Sequence, residues 1–213
     1  MAYDLEEQES IDQMKAWWER WGTPVTAAVC VLCFGFAGWN GWQWWERNEA
    51  AKAGVAYIQL QNAVFQNDSK NVSSISAGII DHYGSTVYAP LAALASAQAA
   101  ASSGDFAGAR ASLRWVIEKS DHPEYATIAR VRLAGVDFDE GKLDDALKTL
   151  SEIKDAQGTA FTLVADRMAD VYRAKGDVAK AREWLEKAKA QAAADDPLLR
   201  IVELKLGSLP VES

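Results

Sequence analysis

Between Trp21 and Trp45 the chain runs for twenty-five residues without a formal charge, WGTPVTAAVCVLCFGFAGWNGWQWW. At about 1.5 Å per residue, a helix of that length exceeds the roughly 30 Å hydrocarbon core of a bilayer. Seven of the nine tryptophans stand at its ends: Trp17, Trp18 and Trp21 before it, Trp39, Trp42, Trp44 and Trp45 behind it. Indole rings settle at the headgroup level, where an apolar body and an N–H donor are both satisfied. Residues 21–45 therefore read as a transmembrane anchor. Thr23 and Pro24 read as its N-cap and first helical residue, because the hydroxyl can accept an orphan N–H and proline has none to lose.

A cleaved leader would open on a basic segment, carry a short apolar run and end at small residues. Here the first twenty residues hold six acids against Lys15 and Arg20, and Leu32 precedes Cys33, so an uncleaved anchor is expected. The flanking bases, Lys15 and Arg20 against Arg47 and Lys52, give the positive-inside count no direction. A long domain behind a first apolar helix usually crosses with it, which places the acidic tail, 1–20, on the cytoplasmic side. Half of the net charge of −8 sits in that tail, and neither half of the chain clusters its bases, which argues against nucleic acid as a partner. Cys30 and Cys33, the only cysteines, lie inside the apolar run. A thiolate is disfavoured in hydrocarbon, so this pair reads as small apolar side chains rather than a redox motif. At 100° per residue Ala27, Val31, Gly35 and Gly38 share one face, where small side chains let another helix approach.

In the acidic tail, Ile11, Met14, Ala16, Trp17 and Trp18 suggest a short amphipathic turn, and Asp4 to Asp12 could dock a basic cytosolic factor. Beyond the anchor, residues 46–83 read as a linker helix whose stripe of Ala53, Ala56, Leu60, Ala63 and Val64 runs to Gln66. A break at 67–71 and a second helix over 72–83 complete a degenerate or capping hairpin. From residue 84 the sequence repeats. Three openings, GDFAGARASL from Gly104, GKLDDALKTL from Gly141 and GDVAKAREWL from Gly176, are spaced by 37 and 35 residues. Alanine follows each glycine by five residues (Ala109, Ala146, Ala181) and leucine follows each alanine by four (Leu113, Leu150, Leu185). Another alanine precedes each glycine by seven (Ala97, Ala134, Ala169).

Each unit is thus a helix with a small residue at its crossing, a glycine turn, and a second helix facing back. These units resemble the tetratricopeptide repeat. The large aromatic expected early in each first helix is missing, and Pro197 is the one convincing proline after a second helix. The expected fold is all-α, an N-terminal transmembrane helix followed by a tetratricopeptide-repeat-like helical-hairpin solenoid over 84–206. Residues 196–206 cap its open end, and 207–213 form a tail.

Catalysis is not expected. His82 and His122 each follow an aspartate, read as loop capping beside a solvated imidazole, and two such dipeptides do not make a metal site. Acid pairs Asp144–Asp145 and Asp195–Asp196 suit helix N-termini. No phosphate loop follows a strand, and no nucleophile–base set is brought together, so catalytic, cofactor and metal residues are all expected to be none. A helical stack offers instead a concave wall of first helices, with Arg130, Arg132, Arg167, Asp170 and Arg173 as candidate partner-binding positions. The places at which some such domains clamp a C-terminal carboxylate hold Leu94 and Gln98, Val131 and Gly135, Asp166 and Asp170, which does not support a clamp.

The acidic start, the Gly- and Trp-rich anchor, DALKTLSEIK over 145–154 and GDVAKAREW over 176–184 are similar, over nearly the full chain, to the bacterial YfgM-type family of ancillary SecYEG translocon subunits. That resemblance implies a single-pass protein of the bacterial inner membrane with its repeat domain in the periplasm. It also implies SecYEG and a parvulin-like, membrane-anchored chaperone of the PpiD type as partners, unfolded secretory chains as a further class of client, and hand-off of newly translocated proteins as the work. The residues alone leave two other readings open: an adaptor for another envelope-assembly complex, and a regulator that holds a cytosolic factor through its acidic tail.

Overall fold

Glycine in left-handed backbone sets the rhythm of the fold: Gly104, Gly141 and Gly176 have φ of +80°, +76° and +82°, a conformation that β-carbon-bearing residues resist. Each ends one helix and turns the chain into the next. The computed structural model describes residues 2–210, with side chains from residue 14. Its helices are α1 (Ala2–Phe65), α2 (Ser69–His82), α3 (Tyr88–Ser102), α4 (Phe106–Lys119), α5 (Pro123–Asp139), α6 (Leu143–Ser151), α7 (Thr159–Ala174), α8 (Val178–Gln191) and α9 (Leu199–Ser208). Among the described residues there is no strand. The chain divides into two units, residues 1–49 and 50–213.

In the first unit, α1 is helical from Ala2 and carries Pro24 in its interior. The expected start at Thr23 and Pro24 is therefore corrected. Proline removes one i→i−4 bond, here to the carbonyl of Arg20, and complete turns on both sides tolerate that loss. The short amphipathic turn expected before the anchor is instead part of the same helix, and the side chains of Asp4 to Asp12 lie outside those described. Phe34, Phe36 and Leu32 are 78%, 73% and 72% exposed, an apolar surface that water would not tolerate on a lone helix. The segment is long and apolar enough to cross a bilayer.

The second unit is a stack of helical hairpins with four linked cores. Leu60, Val72, Ile79 and Ala92 join the end of α1 to α2 and α3. Ala97, Ala109, Leu113 and Ala129 join α3, α4 and α5. Ala134, Ala146, Leu150 and Val171 join α5, α6 and α7, and Ala169, Ala181, Leu185 and Val202 join α7, α8 and α9. All nine repeat-defining alanines and leucines are buried, none more than 2% exposed. A leucine removed from water in this way contributes about 2 kcal/mol, and an alanine at a crossing lets backbones approach. The first two cores share Trp115 and the last two share Tyr172 and Trp184, while α5 gives Ala129 and Leu133 to one middle core and Val131 and Ala134 to the other, so stability passes from repeat to repeat.

The early aromatics that the sequence reading missed are present. Tyr88, Tyr125 and Phe161 sit in the first turns of α3, α5 and α7, half-buried, and each packs on a core. They hold the tetratricopeptide period at 37 and 36 residues. The hairpin before them runs with a break at 66–68 rather than 67–71, since Asp68 caps α2 by accepting from the backbone N–H of Asn71 at 3.1 Å. The last helix starts three residues later than expected, at Leu199.

Candidate functional site

Helices α3, α5 and α7, the first members of successive hairpins, lie side by side and make a continuous wall. Where that wall meets the end of α1 and the start of α2 it opens into a groove of about 560 Å³. Tyr57, Val64, Leu91, Leu94 and Ala95 supply apolar lining; Asn67, Gln98, Ser102 and Arg132 supply polar groups. This composition, apolar with a few convergent donors, is that of a groove for an extended or helical segment. Arg132 is exposed and donates from Nη1 to the Leu94 carbonyl at 3.2 Å, which orients its guanidinium while leaving other N–H groups free to meet a ligand.

The structure distributes the other candidate residues. Arg167 lies over Gly135 on the neighbouring helix; a β-carbon there would come within 3.9 Å of its Cζ. Asp170 faces Lys205 of α9 at 2.9 Å, and Asp166 faces the same ammonium at 2.6 Å. Asp170 is therefore engaged in holding α9 to α7. Arg173 is exposed and borders a small cleft with Lys205 and Leu209. Arg130 is separate from the groove: it lies between a polar cleft of about 470 Å³ with Arg114, Asp145 and Lys148 and an apolar one of about 760 Å³ with Ile128, Ile153 and Leu163. Its Nε is buried with no hydrogen-bond partner among the described residues. Ala27, Val31, Gly35 and Gly38 are exposed on α1, and β-carbons at Gly35 and Gly38 would meet nothing within 4 Å.

The capping assignments around the histidines need correction. Asp81 and His82 are the last residues of α2, not a loop, and His122 itself occupies the N-cap position of α5 with Pro123 behind it. Pro123 supplies helical φ without an N–H to satisfy, so α5 starts without an aspartate cap. Asp105 and Asp177 do cap their helices, accepting from Gly108 N–H at 2.9 Å and Lys180 N–H at 3.0 Å. The backbone bond to Lys180, followed by its side-chain bond, holds the Asp177 carboxyl below its ordinary pKa. Among the described residues, no group of three His, Cys, Asp or Glu is placed to hold a metal ion.

Sequence reasoning missed the ties between repeats. Arg110 of α4 bonds Asp137 of α5 at 2.7 Å and also Glu140, which Lys142 reaches at 3.2 Å. These bonds, Arg110 first, hold Glu140 below the ordinary carboxylate value, and the bond to Asp137 raises Arg110 further above its own. Asp196, expected to serve as a helix-terminal acid, does accept from Leu198 N–H at 2.9 Å, but it is also buried and accepts from Thr162 Oγ1 at 2.9 Å. An acid at a core-facing position, as at Asp137, is the one sequence signal that could have pointed to such a tie.

A tetratricopeptide repeat-like domain model matches residues 15–211. The chain is 30% identical to an ancillary SecYEG translocon subunit of Haemophilus influenzae over 209 residues, covering 98% of this chain and all of that protein. It is also 30% identical to a protein of the same name from Aggregatibacter actinomycetemcomitans over 214 residues, again covering 98% of this chain and all of the relative. Among solved structures, a kinesin light chain protein of Podosopora anserina with nearly identical TPR-like repeats superposes with a TM-score of 0.52 at 17% identity, over 76% of this chain and 84% of that one. A variant of it gives 0.53 over the same shares. These two likenesses establish the fold of the repeat stack.

Proposed function

This chain belongs to the family of ancillary SecYEG translocon subunits, a family of scaffolds rather than enzymes, and from that membership we propose that it is a membrane-anchored adaptor that passes newly translocated chains from SecYEG to periplasmic chaperones. Full-length similarity to two proteins of that name carries the Sec association. The apolar segment of α1, long enough to cross the bilayer, supports anchoring in the inner membrane. In this reading the acidic tail is cytoplasmic and residues 50–213 are periplasmic. A chaperone of the PpiD type is the receiving partner, and unfolded secretory chains are transient clients.

The physical logic is one of local concentration. A groove of about 560 Å³ buries only a short apolar segment, so contacts through it are individually weak. An anchor that confines the stack to the membrane surface makes the second encounter effectively intramolecular, and effective concentrations of about millimolar let weak contacts suffice. Affinity kept low also lets the client leave.

Photocrosslinking in native membranes tests this reading. A photoreactive residue replacing Gly35 should capture a translocon subunit, and one replacing Arg132 or Arg167 should capture a periplasmic chaperone or a nascent secretory chain. Adducts confined to envelope proteins outside secretion would remove the hand-off role.

A further inference from the structure

The segment of α1 within the second unit has two apolar faces. One is the core face, where Ala53, Leu60 and Ala63 are buried under α2 and α3. On the opposite side Ala51, Val55, Ile58, Asn62 and Phe65 follow each other at intervals of four, three, four and three residues, and every one is exposed. Val55 is 61% exposed, Ile58 59% and Phe65 87%. The terminal helix of a repeat stack ordinarily turns a polar face outward, because nothing further covers it. Here it turns an apolar one.

We propose that a second copy of this chain docks along this stripe, parallel and in register, forming a short two-stranded coiled coil. The spacing is that of a heptad with Val55 and Asn62 at a positions and Ala51, Ile58 and Phe65 at d positions. A single asparagine at an a position specifies register and oligomer state, and it favours a partner asparagine at the same level. Parallel in-register pairing sets Asn62 against Asn62 of the second copy. Antiparallel pairing would set it against Ile58 and leave its amide without a partner. Charge points the same way. Two copies of a chain of net charge −8 repel each other, yet residues 53–67 contain no charged side chain, and the stripe lies almost wholly within them. About two heptads make a small interface, so the pairing depends on confinement of both copies to one membrane. The wall of α3, α5 and α7 and its groove stay open, because Tyr57 and Val64 line that groove from a different face of α1.

Disulfide trapping in the full-length chain in native membranes reads this directly. In a Cys30→Ala, Cys33→Ala background, single cysteines replace Val55, Ile58, Asn62 and, as an exposed control on α2, Ser73. Mild oxidation should give homodimer at 55, 58 and 62 at least about tenfold faster than at 73, as confinement of two facing thiols requires. Introducing Ile58→Asp alongside Asn62→Cys should return the rate to that of the control, while unchanged circular dichroism shows that the core face has held. Equal rates at all four positions, indifference to Ile58→Asp, or adducts only to a different polypeptide would each overturn the proposal.

Discussion

Thr162 Oγ1 donates to the carboxylate of Asp196 at 2.9 Å, and the two residues, thirty-four apart in sequence, are 0% and 7% exposed. The bond ties α7 to the turn at the C-terminal end of the stack, where the same carboxylate accepts from Leu198 N–H just before α9. Thr162→Val keeps the shape of the side chain and removes the donor, leaving a buried acceptor with one bond fewer. Stability should fall by about 1–2 kcal/mol, read as a lower urea midpoint of the detergent-solubilised chain, and amides of α9 should exchange faster than those of α3.

The Lys205 ammonium lies between Asp166 and Asp170, one helical turn apart on α7. All three side chains are less than a third exposed, so their separation would leave two like charges together in a poorly solvated place. Lys205→Met should cost about 2 kcal/mol, less than a fully buried pair would. Adding Asp170→Asn to that variant should recover part of the loss. Recovery in the double variant, measured by the same denaturation, distinguishes relief of repulsion from simple loss of packing.

These two ties were invisible in the sequence, although the repeat itself was not. Ala97, Ala109 and Leu113 recur because each sits at a helix crossing within one hairpin, a local constraint that returns at every period. Lys205 meets Asp166 across thirty-nine residues, and Arg110 meets Asp137 across twenty-seven, through the rotation of one hairpin on the next. No local pattern encodes that rotation. Tyr88, Tyr125 and Phe161 escaped notice because their spacing from the turn glycines differs by one residue between units. In α1, Pro24 carried a strong local signal for a helix start, and the continuing helix on both sides overrode it. The groove beside Arg132 joins four helices and a turn, and it became visible only when α1 was placed against α3.

Acid should loosen the stack at a defined place. Glu140 has its pKa lowered by Arg110 first and then by Lys142, so the folded state holds its proton less tightly than the unfolded chain. Its pairing therefore adds stability above the ordinary glutamate value and loses it as pH falls through the lowered folded value. Glu140→Gln should unfold at lower urea than the parent at pH 7, and the two midpoints should begin to approach each other below about pH 4 and meet only below the lowered folded value. A gap between them that stays constant with pH would mean that the carboxylate charge contributes nothing.

Glycine replacements should split by sign. Gly176 holds φ of +82° in the turn before α8, where alanine is strained whatever the space around it. Gly176→Ala should destabilise by about 1 kcal/mol. Gly78 lies inside α2 with helical backbone, and a β-carbon there meets nothing within 4 Å. Gly78→Ala should therefore stabilise by about 0.5–1 kcal/mol, since alanine loses less backbone freedom in a helix. Thermal midpoints of the two variants should move in opposite directions.

Under the proposed adaptor role the groove is the place to test. Leu91 lines it from α3 and is half-buried, so a charge introduced there can turn toward solvent without entering the core that Ala92 and Ala93 fill. Leu91→Glu should leave helix content and urea midpoint near the parent's. It should also weaken capture of apolar segments, because a carboxylate placed in the groove must be desolvated before such a segment can seat, a penalty of about 2 kcal/mol or thirtyfold in affinity. Photocrosslinking from position 132 in the Leu91→Glu chain measures this in membranes. Adduct yield should drop while yield from position 35 is unchanged, since the anchor's contacts do not depend on the groove. Equal loss at both positions would trace the effect to folding or insertion, and no loss at either would show that partners bind elsewhere on the wall.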